Sequence, residues 1–118
     1  MEDHYQAHFY GKAYIADFLK KGTYDTCKFE NFNFSNADLT GFSFSACTFV
    51  NCDLSMIKVK DTTFQEVSFE SCKLLGIHFD VCKPFLLSFN FQKCQLDLAS
   101  FYSINLKIHF SSNRIIRY

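Results

Sequence analysis

The chain has 118 residues, enough for one domain and hardly two, and its twelve basic residues balance its twelve acidic ones. Zero formal net charge removes the global field that would advertise nucleic acid or an anionic membrane as a direct partner. One Pro and four Gly are too few for a turn-rich sandwich or a disordered linker, and no apolar run approaches the roughly 20 residues of a membrane span.

The N-terminus, Met1-Glu2-Asp3-His4, is polar and lacks the basic and then apolar regions of a secretory leader, so a cytoplasmic location is expected. Residues 1–21 read as a cap over whatever follows. Phe9, Tyr14 and Leu19 keep a five-residue step but have no small partners, and a short helix is predicted near residues 13–20.

From Gly22 the chain becomes a ladder with a five-residue rung. Tyr24, Phe29, Phe34, Leu39, Phe44, Phe49, Leu54, Val59, Phe64, Phe69, Leu74 and Phe79 are evenly spaced and large. Two residues before each sits a second inward candidate, often small, as at Cys27, Ala37, Cys47, Cys52, Thr62 and Cys72. The residues between are mostly polar. Neither a 3.6-residue helix nor simple alternation gives this pattern over so long a run, and a fixed repeat points to a solenoid. If each unit makes one side, four units close a square coil of twenty residues. Stacked columns then follow, such as Phe29, Phe49, Phe69 and Phe89 with Cys27, Cys47, Val67 and Leu87 beside them. Phe32 and Phe42 are the largest residues in that second slot, so a bulged first coil is expected.

Pro84 stands where a large apolar residue belongs. After Phe89 the pattern resumes two residues late, at Cys94/Leu96, Ala99/Phe101 and Ile104/Leu106, which predicts a two-residue bulge within 83–91. The repeat block therefore spans 22–106, and 107–118 is a C-terminal tail.

All six cysteines fall in the small inward slot once that slip is allowed, and Cys behaves there as a small hydrophobe. Free core thiols are expected rather than disulfides, and no zinc-type spacing occurs. No catalytic residue, metal site or cofactor site is predicted. His78 faces outward, the carboxylates scatter over several sides, the interior is filled, and no Gly-rich phosphate loop is present.

Ala37-Asp38-Leu39-Thr40-Gly41 matches the central consensus of the pentapeptide-repeat family, and Cys52-Asp53-Leu54-Ser55-Met56, Cys47-Thr48-Phe49-Val50-Asn51 and Cys72-Lys73-Leu74-Leu75-Gly76 resemble it closely. The resemblance implies an all-β fold, a right-handed quadrilateral β-helix of about four coils. It also implies a non-enzymatic, protein-binding role. Relatives include bacterial quinolone-resistance proteins that resemble B-DNA and bind type II topoisomerases, so DNA gyrase or topoisomerase IV is the partner it suggests. The alternative is a structural or self-assembling rod with an unknown protein partner and no DNA-mimic role. Charge separates these readings, because a mimic needs a strong negative field. The block holds nine acidic and six basic residues, a faint excess.

Two surfaces are predicted to make contacts. Glu30, Glu66 and Glu70 form a weak acidic edge, with Phe85 and Leu86 of the bulge as further partner-contact candidates. Outward apolar residues gather late in the chain, at Leu75, Phe85, Leu86, Phe91, Leu98 and Tyr102. The last coil would present Ile104, Leu106 and an unpaired strand edge, which proteins seldom leave bare. The tail can fold over that end through Ile108 and Phe110, or two chains can meet there in a two-fold contact aided by Leu98 and Tyr102. The homodimer through the C-terminal end is the favoured expectation, with no membrane and no direct nucleic-acid contact.

Overall fold

The computed structural model describes residues 2–10, 19–83, 87–99 and 107–110. Ten short strands follow in order: β1 (Glu2–Tyr5), β2 (His8–Tyr10), β3 (Gly22–Asp25), β4 (Lys28–Glu30), β5 (Ser43–Ser45), β6 (Thr48–Val50), β7 (Thr63–Gln65), β8 (Val67–Glu70), β9 (Ser88–Gln92) and β10 (Lys107–Phe110). One sheet stacks β1-β3-β5-β7 and the other stacks β10-β9-β8-β6-β4-β2, and every pairing is parallel. A third side is built from the bridges Asn33↔Asp53, Asp53↔Lys73 and Lys73↔Gln95, and a fourth from Asp38↔Lys58. The result is a four-sided parallel β-solenoid, as the repeat predicts.

The five-residue unit explains the sides. Its two inward side chains are buried while the residues between them stay partly exposed, as in the alternating burial of β3 and β8. The fifth residue turns the corner in the left-handed region. Twelve non-glycine residues do so, from Gln6 to Leu98, together with Gly41 and Gly76. An L-residue bears about 1–2 kcal/mol of strain there. What holds the corner is the next coil: Thr26 N–H donates to the Ser45 carbonyl at 2.8 Å, Asn31 to Val50 at 3.0 Å and Met56 to Leu75 at 2.8 Å. Nine of the twelve thus donate an inter-coil hydrogen bond.

Inside, the coil spacing near 4.8 Å lets aromatic rings stack. Phe9–Phe29, Phe29–Phe49 and Phe49–Phe69 stack at centroid distances of 5.1, 4.8 and 5.3 Å. The small slot has its own bonding rule. Its thiol or hydroxyl reaches back to a carbonyl of the preceding coil: Cys47 Sγ to Tyr24 at 3.1 Å, Cys72 Sγ to Phe49 at 3.3 Å, Cys94 Sγ to Phe69 at 3.2 Å and Thr62 Oγ1 to Leu39 at 2.7 Å. All six cysteines are free and buried.

Three expectations are corrected. Phe89 does not continue the Phe29, Phe49, Phe69 column; Phe91 pairs with Phe69 and stacks on it at 5.4 Å, while Phe89 pairs with Val67. The two-residue slip therefore precedes Phe89. Thr63 still pairs with Lys83 at a spacing of 20, and the 22-residue spacing begins by Val67↔Phe89. Second, Phe91 is fully buried, not an outward residue. Third, the first coil does not bulge at Phe32 and Phe42. The strands around them keep the 20-residue register, and both rings are absorbed by stacking, Phe32 on Phe34 at 5.0 Å and Phe42 on Phe44 at 5.9 Å.

The ladder also runs past the 22–106 block at both ends. β1 and β2 pair in register with β3 and β4, and β10 adds a strand to β9. The predicted helix near 13–20 lies largely outside the described residues.

Candidate functional site

With the interior closed by side chains, chemistry is left to the outer faces. Glu30, on the second side, is held by its neighbours: His8 Nε2 lies 3.1 Å and Lys28 Nζ 3.8 Å from its Oε1. Glu30 and Glu70 share one column, but Val50 sits between them in register. Glu66 occupies the corner before β8, whereas Glu70 ends that strand, so the two stand at opposite ends of one side. The three carboxylates do not join into one edge. Elsewhere opposite charges are placed one above the other, Asp38 over Lys58 and Asp53 over Lys73. Asp38 is held below its ordinary pKa by the Thr40 hydroxyl and by the Thr40 N–H, which donates to Oδ1 at 3.0 Å, with Lys58 and Lys21 adding to this against a small burial effect.

Phe85, Leu86, Tyr102, Ile104 and Leu106 lie outside the described residues. Ile108 and Phe110 lie on the β10 backbone. Leu98 is 80 % exposed at a corner. His78 is exposed as expected, with Nδ1 4.0 Å from Asp80 Oδ1.

The sequence reading passed over a second group. Met56, at a left-handed corner, and Val81, at the end of a short 3-10 helix over Phe79–Val81, are exposed by 54 % and 45 %. Together with Gly76 they floor an open groove of about 440 Å³ on the fourth side. The signal was available, because an apolar fifth residue departs from the polar end of the repeat unit.

Among the described residues no group of His, Cys, Asp and Glu is arranged to hold a metal ion, and no helix is long and apolar enough to cross a membrane. The buried thiols do not all behave alike. Burial pushes Cys47 up to about 12 and Cys82 up to about 11. Cys72 is raised by the Cys52 and Cys94 sulfurs beside it and by burial, while Cys52 and Cys94 are lowered, each chiefly through its contact with Cys72.

Comparison with known proteins agrees with this architecture. The model of the pentapeptide repeat region matches residues 23–101. No curated protein sequence matches the chain. Among solved structures it is similar to full-length QnrB1, a plasmid-mediated fluoroquinolone resistance protein, at 22 % identity and a TM-score of 0.59, over 85 % of this chain and 49 % of that one. Two trypsin-treated variants of QnrB1 match at 21 % and 18 % identity with TM-scores of 0.48 and 0.40, over 89 % and 83 % of this chain and 52 % and 57 % of theirs. The chain spans about half the length of these proteins, and likeness at this identity speaks for a shared fold. The matched region, the five-residue unit and the four-sided stack together place this chain in the pentapeptide-repeat family.

Proposed function

We propose that the chain is a non-catalytic protein-binding scaffold. The observation that carries this reading is the division of labour within the unit: inward side chains fill the core, and the polar groups are displayed outward on a frame fixed by inter-coil hydrogen bonds. Such a frame presents side chains at set spacings and offers no internal site for a substrate. A type II topoisomerase is the first partner to test, because the family resemblance implies one. The acidic candidates Glu30, Glu66 and Glu70 would carry the contact.

A second reading, a scaffold or self-assembling rod without DNA mimicry, is favoured by the charge pattern. The stacking of Asp38 on Lys58 and Asp53 on Lys73, and the Val50 gap between Glu30 and Glu70, give a patchy surface instead of a negative stripe. A gyrase supercoiling assay with and without a quinolone separates the two. A change that depends on salt and is lost in Glu30→Gln/Glu66→Gln/Glu70→Gln supports the topoisomerase partner. No effect at micromolar protein refutes it and leaves the second reading. The same preparation, run by sedimentation at several concentrations with and without residues 111–118, tests the homodimer through the C-terminal end.

A further inference from the structure

The groove on the fourth side has a chemistry of its own. Its floor is Met56, Gly76 and Val81, with the buried Val59 between coils. Gly76 makes room for Met56 on that floor: a Cβ there would clash with Met56 Sδ, so the thioether rests where a side chain would otherwise stand. The charged groups on its lining are Lys58 and Lys60, with His78 as a third nitrogen donor. No carboxylate lines it among the described residues. Asp38 pairs in register with Lys58 and feels its charge but stands outside the lining, and Asp80 is turned toward His78. An exposed methionine bears a hydration cost that the polar residues at most other corners avoid. Adaptable Met surfaces serve as binding floors.

We infer that this groove docks a short acidic segment of a partner protein, one large apolar side chain against Met56 and flanking carboxylates on Lys58 and Lys60. The inference rests on the scaffold reading and adds a place and a partner chemistry to it. A volume of about 440 Å³ takes one or two large side chains, which fits an anchor and its neighbours rather than a folded domain. The two cations give the site its sign, because like charges are rejected more strongly than opposite ones are held.

The chain has only two methionines, so the Met56 methyl is readily assigned. The full chain labelled at Met methyls is titrated by NMR with the peptide acetyl-Glu-Glu-Phe-Leu-Asp-Glu-amide, and with the same peptide carrying Lys at every acidic position. The acidic peptide is expected to shift the Met56 methyl saturably and the basic one to leave it in place. Lys58→Gln/Lys60→Gln, at two exposed positions, should weaken the response about tenfold. Gly76→Ala, which displaces Met56, should abolish it; near-native circular dichroism of both variants excludes unfolding as the cause. An unmoved Met56 methyl at millimolar acidic peptide, equal response to the basic peptide, or equal response to a DNA oligonucleotide would overturn the assignment. A silent groove beside an intact effect on gyrase would remove the groove and keep the scaffold.

Discussion

Phe49→Ala is the sharpest test of the stacked interior. Phe49 is 1 % exposed and sits between two parallel rings, Phe29 at 4.8 Å and Phe69 at 5.3 Å, with Phe44 and Phe34 edge-on at 5.4 and 6.2 Å. Truncating a core Phe costs about 3–5 kcal/mol, the larger values belonging to sites that cannot collapse. Here collapse is opposed from both sides, because the coil spacing is fixed by backbone bonds such as Thr48 N–H to the Cys27 carbonyl at 2.9 Å and Ser68 N–H to Cys47 at 2.9 Å. The expected loss is therefore in the upper half of that range, about 4–5 kcal/mol. Phe49→Leu should cost far less, about 1–2 kcal/mol, since Leu fills the same slot at Leu54 and Leu74. Urea unfolding followed by circular dichroism reads the difference. With a slope of about 2 kcal/mol per molar, Phe49→Ala should lower the midpoint by about 2 M. A loss below about 1 kcal/mol with an unchanged slope would refute the stacked column, since only exposed positions tolerate such truncation.

Two further expectations follow from the small slot. Thr62→Val keeps the shape but removes the 2.7 Å bond to the Leu39 carbonyl, which keeps its bond from the Phe42 N–H; a loss of about 1 kcal/mol is expected, with Thr62→Ser partly restoring it in the same urea assay. The Cys47 thiol is raised from 9.0 to about 12, so its contribution is intact below pH 9 and is lost as the pH climbs toward 12, because the unfolded thiol ionises first. Stability should fall in that window, and more gently in Cys47→Ala; equal slopes in the two proteins would count against a buried neutral thiol.

The five-residue spacing carried the fold. Apolar residues at fixed intervals, and small residues two before them, left one way to close a coil. The register from Gly22 to Phe79 follows from it, including the seating of Cys27, Cys47, Cys52 and Cys72. The failure at Phe89 has a clear cause. Phe89 and Phe91 are both rings, two apart on the same face of β9, so either could continue the column by composition. Only pairing distinguishes them, and pairing depends on where the two extra residues leave the coil. The strands at the two ends were hidden for a related reason: β1 and β10 join sheets by backbone bonds and do not need the full unit. The outer faces were the least legible. Glu30, Glu66 and Glu70 look like an edge when numbered along the chain, but a corner and Val50 separate them in space.

The same division between inside and outside makes Met56 informative. Stability resides in the inward columns and in the N–H groups of the corners, and the corner side chain contributes little to either. Met56 donates its N–H to the Leu75 carbonyl at 2.8 Å, and any residue with an N–H could do the same. Asn suits the left-handed conformation better than Met does, and it holds the equivalent corner one coil earlier, at Asn36. Met56→Asn exchanges an exposed thioether for a polar group that favours the turn. It uncovers Gly76, which lies under the Met56 sulfur, and these two changes oppose each other. The net effect on unfolding should stay within about 0.5 kcal/mol, as for surface substitutions generally. If the groove is a docking site, the acidic peptide should lose its anchor in this variant while the fold is untouched. Loss of stability above about 1.5 kcal/mol would mean that Met56 is a structural lid on Gly76, and the strain at this corner would then have a packing explanation.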